Sequence, residues 1–307
     1  GFEYLFWKQE NIRGLKERLD RYKSKVDFVI ANDATILPLA AYYAKKWTSE
    51  LIVDLHEYAP REMEENLKWR LRYKRYYSYI LRKYLPQARA VMTVCDGIAK
   101  VLKANFGVAP TIVTNAPAYE DLAPSPINPS RIDLIHHGGA MQARKLESMI
   151  RMMNFLDERF HLNLMLIESD PGYLSHLKEC YGNDPRIHFL PPVPTTEISG
   201  AINKFDIGLF LLEPVNFNYQ VALPNKFFEF IQARLAITIG PSPEMAKLVE
   251  QYNLGLVSDD FKPESLAVML NRMTVEELMA YKINSGKAAL QESANKNKSV
   301  FLQLLES

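Results

Sequence analysis

Two cysteines in 307 residues, no CxxC pair and a formal net charge of +1 leave several function classes without support. Cys95 and Cys180 fall in separate stretches, so no disulfide framework is implied and free thiols in a reducing compartment are expected. A charge so near zero supplies no overall pull toward nucleic acid, and any basic site must be local. No apolar run approaches the roughly 18 residues of a membrane span, and no secretory signal is present. A cytoplasmic protein is therefore expected. Short repeats, low-complexity tracts and a GxGxxG fingerprint are missing too.

What remains is an average globular composition, 48% apolar and 24% charged, in a chain long enough for two ordinary domains. Its first 25 residues read as a helix, followed by a strand at Val26–Ile30 and a helix at Ile36–Lys46. The strand Leu51–Leu55 closes on His56-Glu57. A long helix over Glu62–Tyr84 leads to the strand Ala90–Val94, a helix at Asp96–Asn105 and a strand at Pro110–Thr114. Short apolar strands alternating with helices indicate a parallel sheet covered on both faces.

Asp121–Arg131 holds three prolines and no periodicity. It reads as a linker, and the division is drawn at 1–122, 123–131 and 132–307. The alternation then restarts. Strands are expected at Ile132–His136, His161–Ile167, Ile187–Leu190, Asp206–Leu212, Ile237–Ile239 and Leu254–Val257. Helices are expected at Lys145–Arg159, Pro171–Tyr181, Thr196–Lys204 and Pro243–Tyr252, with more helix to the end. Two doubly wound α/β units in tandem, with ligands at the carboxyl ends of strands in a cleft between them, is the architecture implied.

The stretch Pro224-Asn-Lys-Phe-Phe-Glu-Phe-Ile-Gln-Ala-Arg234 stands out. Pro224 suits the first helical position. Phe227, Phe228, Phe230 and Ile231 make the helix apolar on two faces, which places Glu229 inside an apolar wall. A carboxylate there needs a partner. Lys226, one turn earlier, is one; a ribose diol is another, with Lys226 and the helix N-terminus attracting phosphate.

Three further segments carry possible chemistry. In His136-His-Gly-Gly-Ala-Met-Gln-Ala-Arg-Lys145, two glycines let backbone N–H groups approach a pyrophosphate, and Arg144 and Lys145 can offset its charge. The alternative is a tight strand-to-helix turn with two solvated cations. His136 and His137 lack partners at zinc-ligand spacing, so no metal site is expected. Asp54-Leu-His-Glu57 places His56 at a strand end, where Asp54 or Glu57 can orient it, or where it is a satisfied structural residue. Residues 68–84 interleave cations and aromatic rings, which suits either contact with anionic lipid or a helix covering the sheet with snorkelling cations.

Taken together these residues resemble the GT-B-fold retaining glycosyltransferases, glycosyl transferases group 1 or family 4. The resemblance spans about residues 26–300. It rests on Asp54-Leu-His-Glu57, Ala90–Ala99, Thr114-Asn-Ala-Pro117, Gly138-Gly139 with Arg144-Lys145, Phe205–Leu209 and Pro224–Phe230. It implies a nucleotide-sugar donor on the second unit and a glycan or lipid-linked acceptor on the first. Gly138, Gly139, Arg144 and Lys145 would meet the diphosphate, and Glu229 the ribose. Leu223, Pro224, Asn225 and Lys226 would approach the sugar–phosphate region, and His56, the catalytic candidate, the transferred sugar. No cofactor or metal is implied, because the leaving diphosphate itself can take the acceptor proton. The expected setting is polysaccharide biosynthesis at the inner face of the cell membrane, with residues 68–84 in peripheral contact.

The pattern departs from the family twice. Eight positions before Glu229, where the family usually has a second glutamate, stands Val221, and Glu213 is too far upstream for a direct match. The chain opens on Gly1, and the usual first strand and glycine-rich loop do not precede Phe2, so an incomplete first domain is expected. Two rival readings follow: a GT-B-fold nucleotide-sugar epimerase, or a non-catalytic nucleotide-sugar-binding protein.

Overall fold

The computed structural model describes residues 2–306, which form two compact units. The first runs to Thr114 and takes in Asn216–Val221; the second holds Asn115–Val215 and the chain from Ala222 onward.

The first unit opens with two helices, α1 (Phe2–Trp7) and α2 (Glu10–Asp20), where one was expected. The break at Lys8-Gln9 has a packing reason. Phe6 and Ile12 both bury against Leu39 and Tyr43, yet six residues along one continuous helix would put them on different faces. The strand β1 (Phe28–Asn32) follows, two residues later than expected, then α3 (Leu37–Trp47) and β2 (Glu50–Leu55). Helix α4 covers Leu67–Tyr84 and starts later than its composition suggests, because the Asn66 side chain accepts the Trp69 N–H at 3.1 Å and caps it. Then come β3 (Ala90–Thr93), α5 (Asp96–Phe106) and a two-residue β4 (Thr111–Ile112). The strands pair in parallel in the order β1-β2-β3-β4.

The second unit contains β5 (Ile132–Ala140), α6 (Glu147–Met152), β6 (Phe160–Glu168), α7 (Tyr173–Tyr181), β7 (Ile187–Leu190), α8 (Ile198–Ile202) and β8 (Ile207–Phe210). The four-residue α9 (Phe217–Gln220) packs with the first unit. The chain returns as α10 (Asn225–Gln232), β9 (Ala236–Ile239), α11 (Pro243–Tyr252) and β10 (Gly255–Val257), and ends in α12 (Pro263–Arg272), α13 (Val275–Ala288) and α14 (Ala294–Glu306). The six strands are all parallel, in the order β10-β9-β8-β5-β6-β7. The order reverses between β5 and β8. In an open α/β sheet that reversal leaves a crevice outside the strands' carboxyl ends, where ligands sit.

The segment 115–131 is not a free linker. Buried Arg234 donates to Leu122 O at 3.0 Å and to Glu120 O, Ser125 Oγ donates to Phe205 O at 3.3 Å, and Lys282 Nζ donates to Ser125 Oγ at 2.8 Å. These bonds hold it on the second unit, so the boundary falls at Thr114/Asn115 rather than in 123–131.

Helix α10 is apolar all round because it is buried all round: Phe227, Phe228, Phe230 and Ile231 are each 0% exposed. The Phe230 ring lies against Gly208 of β8, so closely that a Cβ on that glycine would overlap it. Gly208→Ala is therefore expected to cost about 1–3 kcal/mol through overpacking, measured as a fall in chemical-denaturation midpoint.

Candidate functional site

The site is built at the carboxyl end of β5. The strand expected to end at His136 runs further: both glycines continue it, paired to Leu166 and Ile167 of β6. The turn comes after them, as a short 3-10 segment at Gln142–Arg144. Lys145 then adopts a left-handed conformation, φ 46°, which ends any helix before Glu147. Gly138 has φ 120°, a conformation closed to side chains. Its missing Cβ matters as well. A Cβ there would lie 3.1 Å from Lys226 Nζ and 3.6 Å from Arg144 Nη1, so two cations converge on the space that the glycine leaves open.

Pro224 is the residue before α10 rather than its first residue. Its ψ of 157° is extended, while its carbonyl already accepts the Phe227 N–H. Behind it Lys226 is buried at 7% exposure and crosses the Phe210 ring 5.0 Å from its centroid. It does not pair with Glu229 one turn on, the expected local partner. Its Nζ lies 3.3 Å from His136 Nε2. His136 Nδ1 is 2.9 Å from Leu209 O, which can only accept, so Nδ1 carries the proton and Nε2 accepts from the lysine. Burial, then the neighbouring lysine, pushes the His136 pKa well down and keeps it neutral. Burial, then the Arg144 charge, pushes Lys226 well down too. Among the described residues neither Lys226 nor Arg144 has a carboxylate within ion-pair distance; Arg144 Nη1 donates to Gly139 O at 3.2 Å.

Glu229 is 5% exposed, and its Oε2 lies 3.4 Å from His137 Nε2. Burial raises its pKa to about 7 and lowers that of His137 to about 3. The proton on Glu229 is thus poised near neutrality. Lys145 is turned elsewhere: its ammonium meets Glu213 Oε2 at 2.6 Å in an exposed pair. Leu223 is buried, Pro224 half-buried and Asn225 exposed at the head of α10.

The structure therefore brings together Gly138, Gly139, Arg144, Lys226 and, one turn along α10, Glu229. Lys145 stays outside the cluster. Sequence reasoning missed His136, considered only as a metal ligand, and the partnership of Glu213 with Lys145. The one signal for His136 was a polar residue in a strand with an apolar neighbourhood, which asks for a partner.

In the first unit, His56 follows β2. Its Nε2 is 3.1 Å from Asp54 Oδ2, and its backbone N–H donates to Asp33 Oδ1 at 3.0 Å. Asp54, one of the two orienting residues expected, holds the imidazolium form and raises the His56 pKa against the opposing effect of burial. That stabilisation is present below the ordinary value near 6.5 and is lost as pH rises through the higher folded value. Asp54→Asn should lower the His56 pKa and should weaken folding more at pH 6 than at pH 9. An NMR titration that leaves the imidazole pKa unmoved would contradict the pairing.

Known structures share this fold. Sucrose-phosphate synthase from Thermosynechococcus elongatus superposes with a TM-score of 0.75 at 11% identity, covering 96% of this chain and 76% of that one. Anabaena HepE in complex with UDP gives 0.74 at 12% identity, with 96% and 81% covered. TarM gives 0.72 at 10% identity, with 97% and 58% covered. No protein-family model and no curated protein matches the chain. The fold is GT-B, two tandem Rossmann-like units with parallel sheets of four and six strands.

Proposed function

We propose that this chain is a glycosyltransferase whose second unit holds a nucleoside-diphosphate sugar at the carboxyl end of β5. One observation carries the reading: two cations without carboxylate partners converge over a glycine at the point where strand order reverses. Burying Lys226 beside Arg144 costs stability unless an anion completes the group. A diphosphate does so, with the N-terminus of α10 adding its own positive end. Glu229 then takes the ribose diol, for which a carboxylate near its pKa needs only to lose a proton. HepE structures with UDP and with UDP-glucose make a uridine donor a natural first choice for assay.

In the transfer, the bond from the anomeric carbon to the diphosphate breaks and a bond to an acceptor hydroxyl forms. Lys226 and Arg144 stabilise the charge that builds on the leaving oxygen. That oxygen, on the same face of the sugar, takes the acceptor proton, which gives retention without a protein nucleophile. Neither a metal nor a cofactor has a step in this scheme. His56, held as an imidazolium by Asp54, is the proposed hydrogen-bond donor to the reacting hydroxyls.

An envelope polysaccharide or lipid-linked acceptor is supported by α4. Its second half is buried at Ile80, Leu81 and Tyr84. Its first half leaves Leu67 56% and Leu71 70% exposed among Lys68, Arg70, Lys74 and Arg75. That combination suits peripheral contact with an anionic bilayer. No helix among the described residues is long and apolar enough to cross one.

The test is incubation with UDP-, GDP- and ADP-sugars and a glycan acceptor, following nucleotide release and product anomeric configuration. Transfer with retention is expected. An epimerised free sugar would favour the epimerase reading, and binding without turnover a non-catalytic one.

A further inference from the structure

A cavity of about 320 Å³ lies wholly within the first unit, walled by the rings of Phe2, Tyr73, Tyr76 and Tyr77. The three tyrosines share one side of α4 by their i, i+3, i+4 spacing. Gln9, Thr35 and Arg72 supply polar groups to the same wall. Among the described residues Arg72 is the only charged one lining it.

The rings are held before any ligand arrives. Phe2 meets Tyr76 edge-on, with centroids 5.8 Å apart and planes at 77°. Trp69 stacks on Tyr77 at 6.1 Å and 26°, and Tyr73 lies 6.4 Å from Tyr77 at 30°. The Tyr76 phenol is hydrogen-bonded to Gln9, and burial raises the pKa of Tyr76 and takes Tyr77 to about 12. A wall fixed in this way loses little side-chain freedom on binding.

Position adds to composition. Thr35 stands just beyond Asp33, the residue that accepts the His56 N–H, in the loop leaving the carboxyl end of β1. The cavity thus shares with His56 the edge of the sheet where ligands of such units collect. Tyr77 lies close enough to Asp33 and Glu62 for their charges to act on it. Those carboxylates disfavour a nucleic acid. A lipid chain would leave Gln9, Thr35 and Arg72 facing hydrocarbon. A pyranose answers both halves of the wall, because it has an apolar C–H face and a rim of hydroxyls.

We propose that this cavity binds a pyranose ring of the acceptor glycan, its C–H face against Tyr73 and Tyr77 and its hydroxyls on Gln9, Thr35 and Arg72. Naming that ring the acceptor rests on the glycosyltransferase reading; the binding of a sugar here does not.

Saturation-transfer NMR on the full chain tests it, with methyl glycosides of glucose, galactose, mannose, rhamnose, N-acetylglucosamine and glucuronic acid as probes. Transfer to ring C–H protons of at least one is expected. Tyr73→Ala should weaken it about tenfold, the scale of one aromatic stacking contact, while leaving UDP affinity unchanged. Tyr73 is 37% exposed and alanine suits a helix, so the variant should fold; Thr35→Val provides a second, milder loss. Lys226→Met should leave the sugar signal intact. Sugar binding with no UDP binding would sink the donor reading and spare this one. UDP binding with no saturation of any glycoside would overturn the sugar assignment. So would farnesyl phosphate binding in their place with the same sensitivity to Tyr73→Ala.

Discussion

Lys226→Met is expected to make the free protein more stable and to abolish its affinity for a nucleoside diphosphate. The ammonium is buried, its pKa is pushed well below 10.5, and its direct partner is a neutral imidazole. Replacing such a group with an apolar chain of similar length removes the cost of keeping an unpaired charge out of water. Sign and pH range follow from the shift. A lysine whose folded pKa is depressed lowers stability below its unfolded value, and the penalty shrinks as pH rises toward 10.5. The gain of the methionine variant should therefore be large at pH 7 and fade by pH 10. The same substitution removes one of the two charges facing the proposed diphosphate, so calorimetric binding should vanish. Stability up and binding lost is the signature of a residue kept for function. A variant that is less stable at pH 7 would instead make Lys226 a structural group.

Glu229→Gln separates the two halves of the donor. If Glu229 holds the ribose, the variant should lose UDP affinity by about tenfold to a hundredfold, the scale of hydrogen bonds to a charged group, yet bind inorganic pyrophosphate as the native chain does. Free, it should also be the more stable protein at pH 8. A carboxyl with its pKa raised to about 7 destabilises the fold increasingly as pH climbs from 4.5 to 7, and glutamine does not ionise. Equal losses for UDP and pyrophosphate would mean that Glu229 acts by supporting Lys226.

Much of the fold was legible because local signals agreed with the tertiary outcome. Helix α11 ran from Pro243 to Tyr252 as expected, since Pro243 sits in its first turn and Asn253 closes it in a left-handed conformation. Strand β5 was read too short because His136-His137-Gly138-Gly139 interrupts its apolar pattern; pairing with β6 carries it on to Ala140. Of the candidate site, residue types were legible and directions were not. Arg144 and Lys145 are neighbours in sequence, but the left-handed turn at Lys145 sends one cation toward Gly138 and the other to Glu213. The bond from Lys226 to His136 spans 90 residues, and no local pattern announces it. Nor does periodicity separate the two halves of α4, one buried at Ile80, Leu81 and Tyr84 and one with Leu67 and Leu71 in solvent.

Calorimetric titration of the native chain with UDP, GDP and ADP tests the central claim most directly. Saturable binding of one nucleoside diphosphate, at one site per chain, is the result this account predicts. A folded chain that binds none of the three would contradict a donor site at Gly138, Arg144 and Lys226.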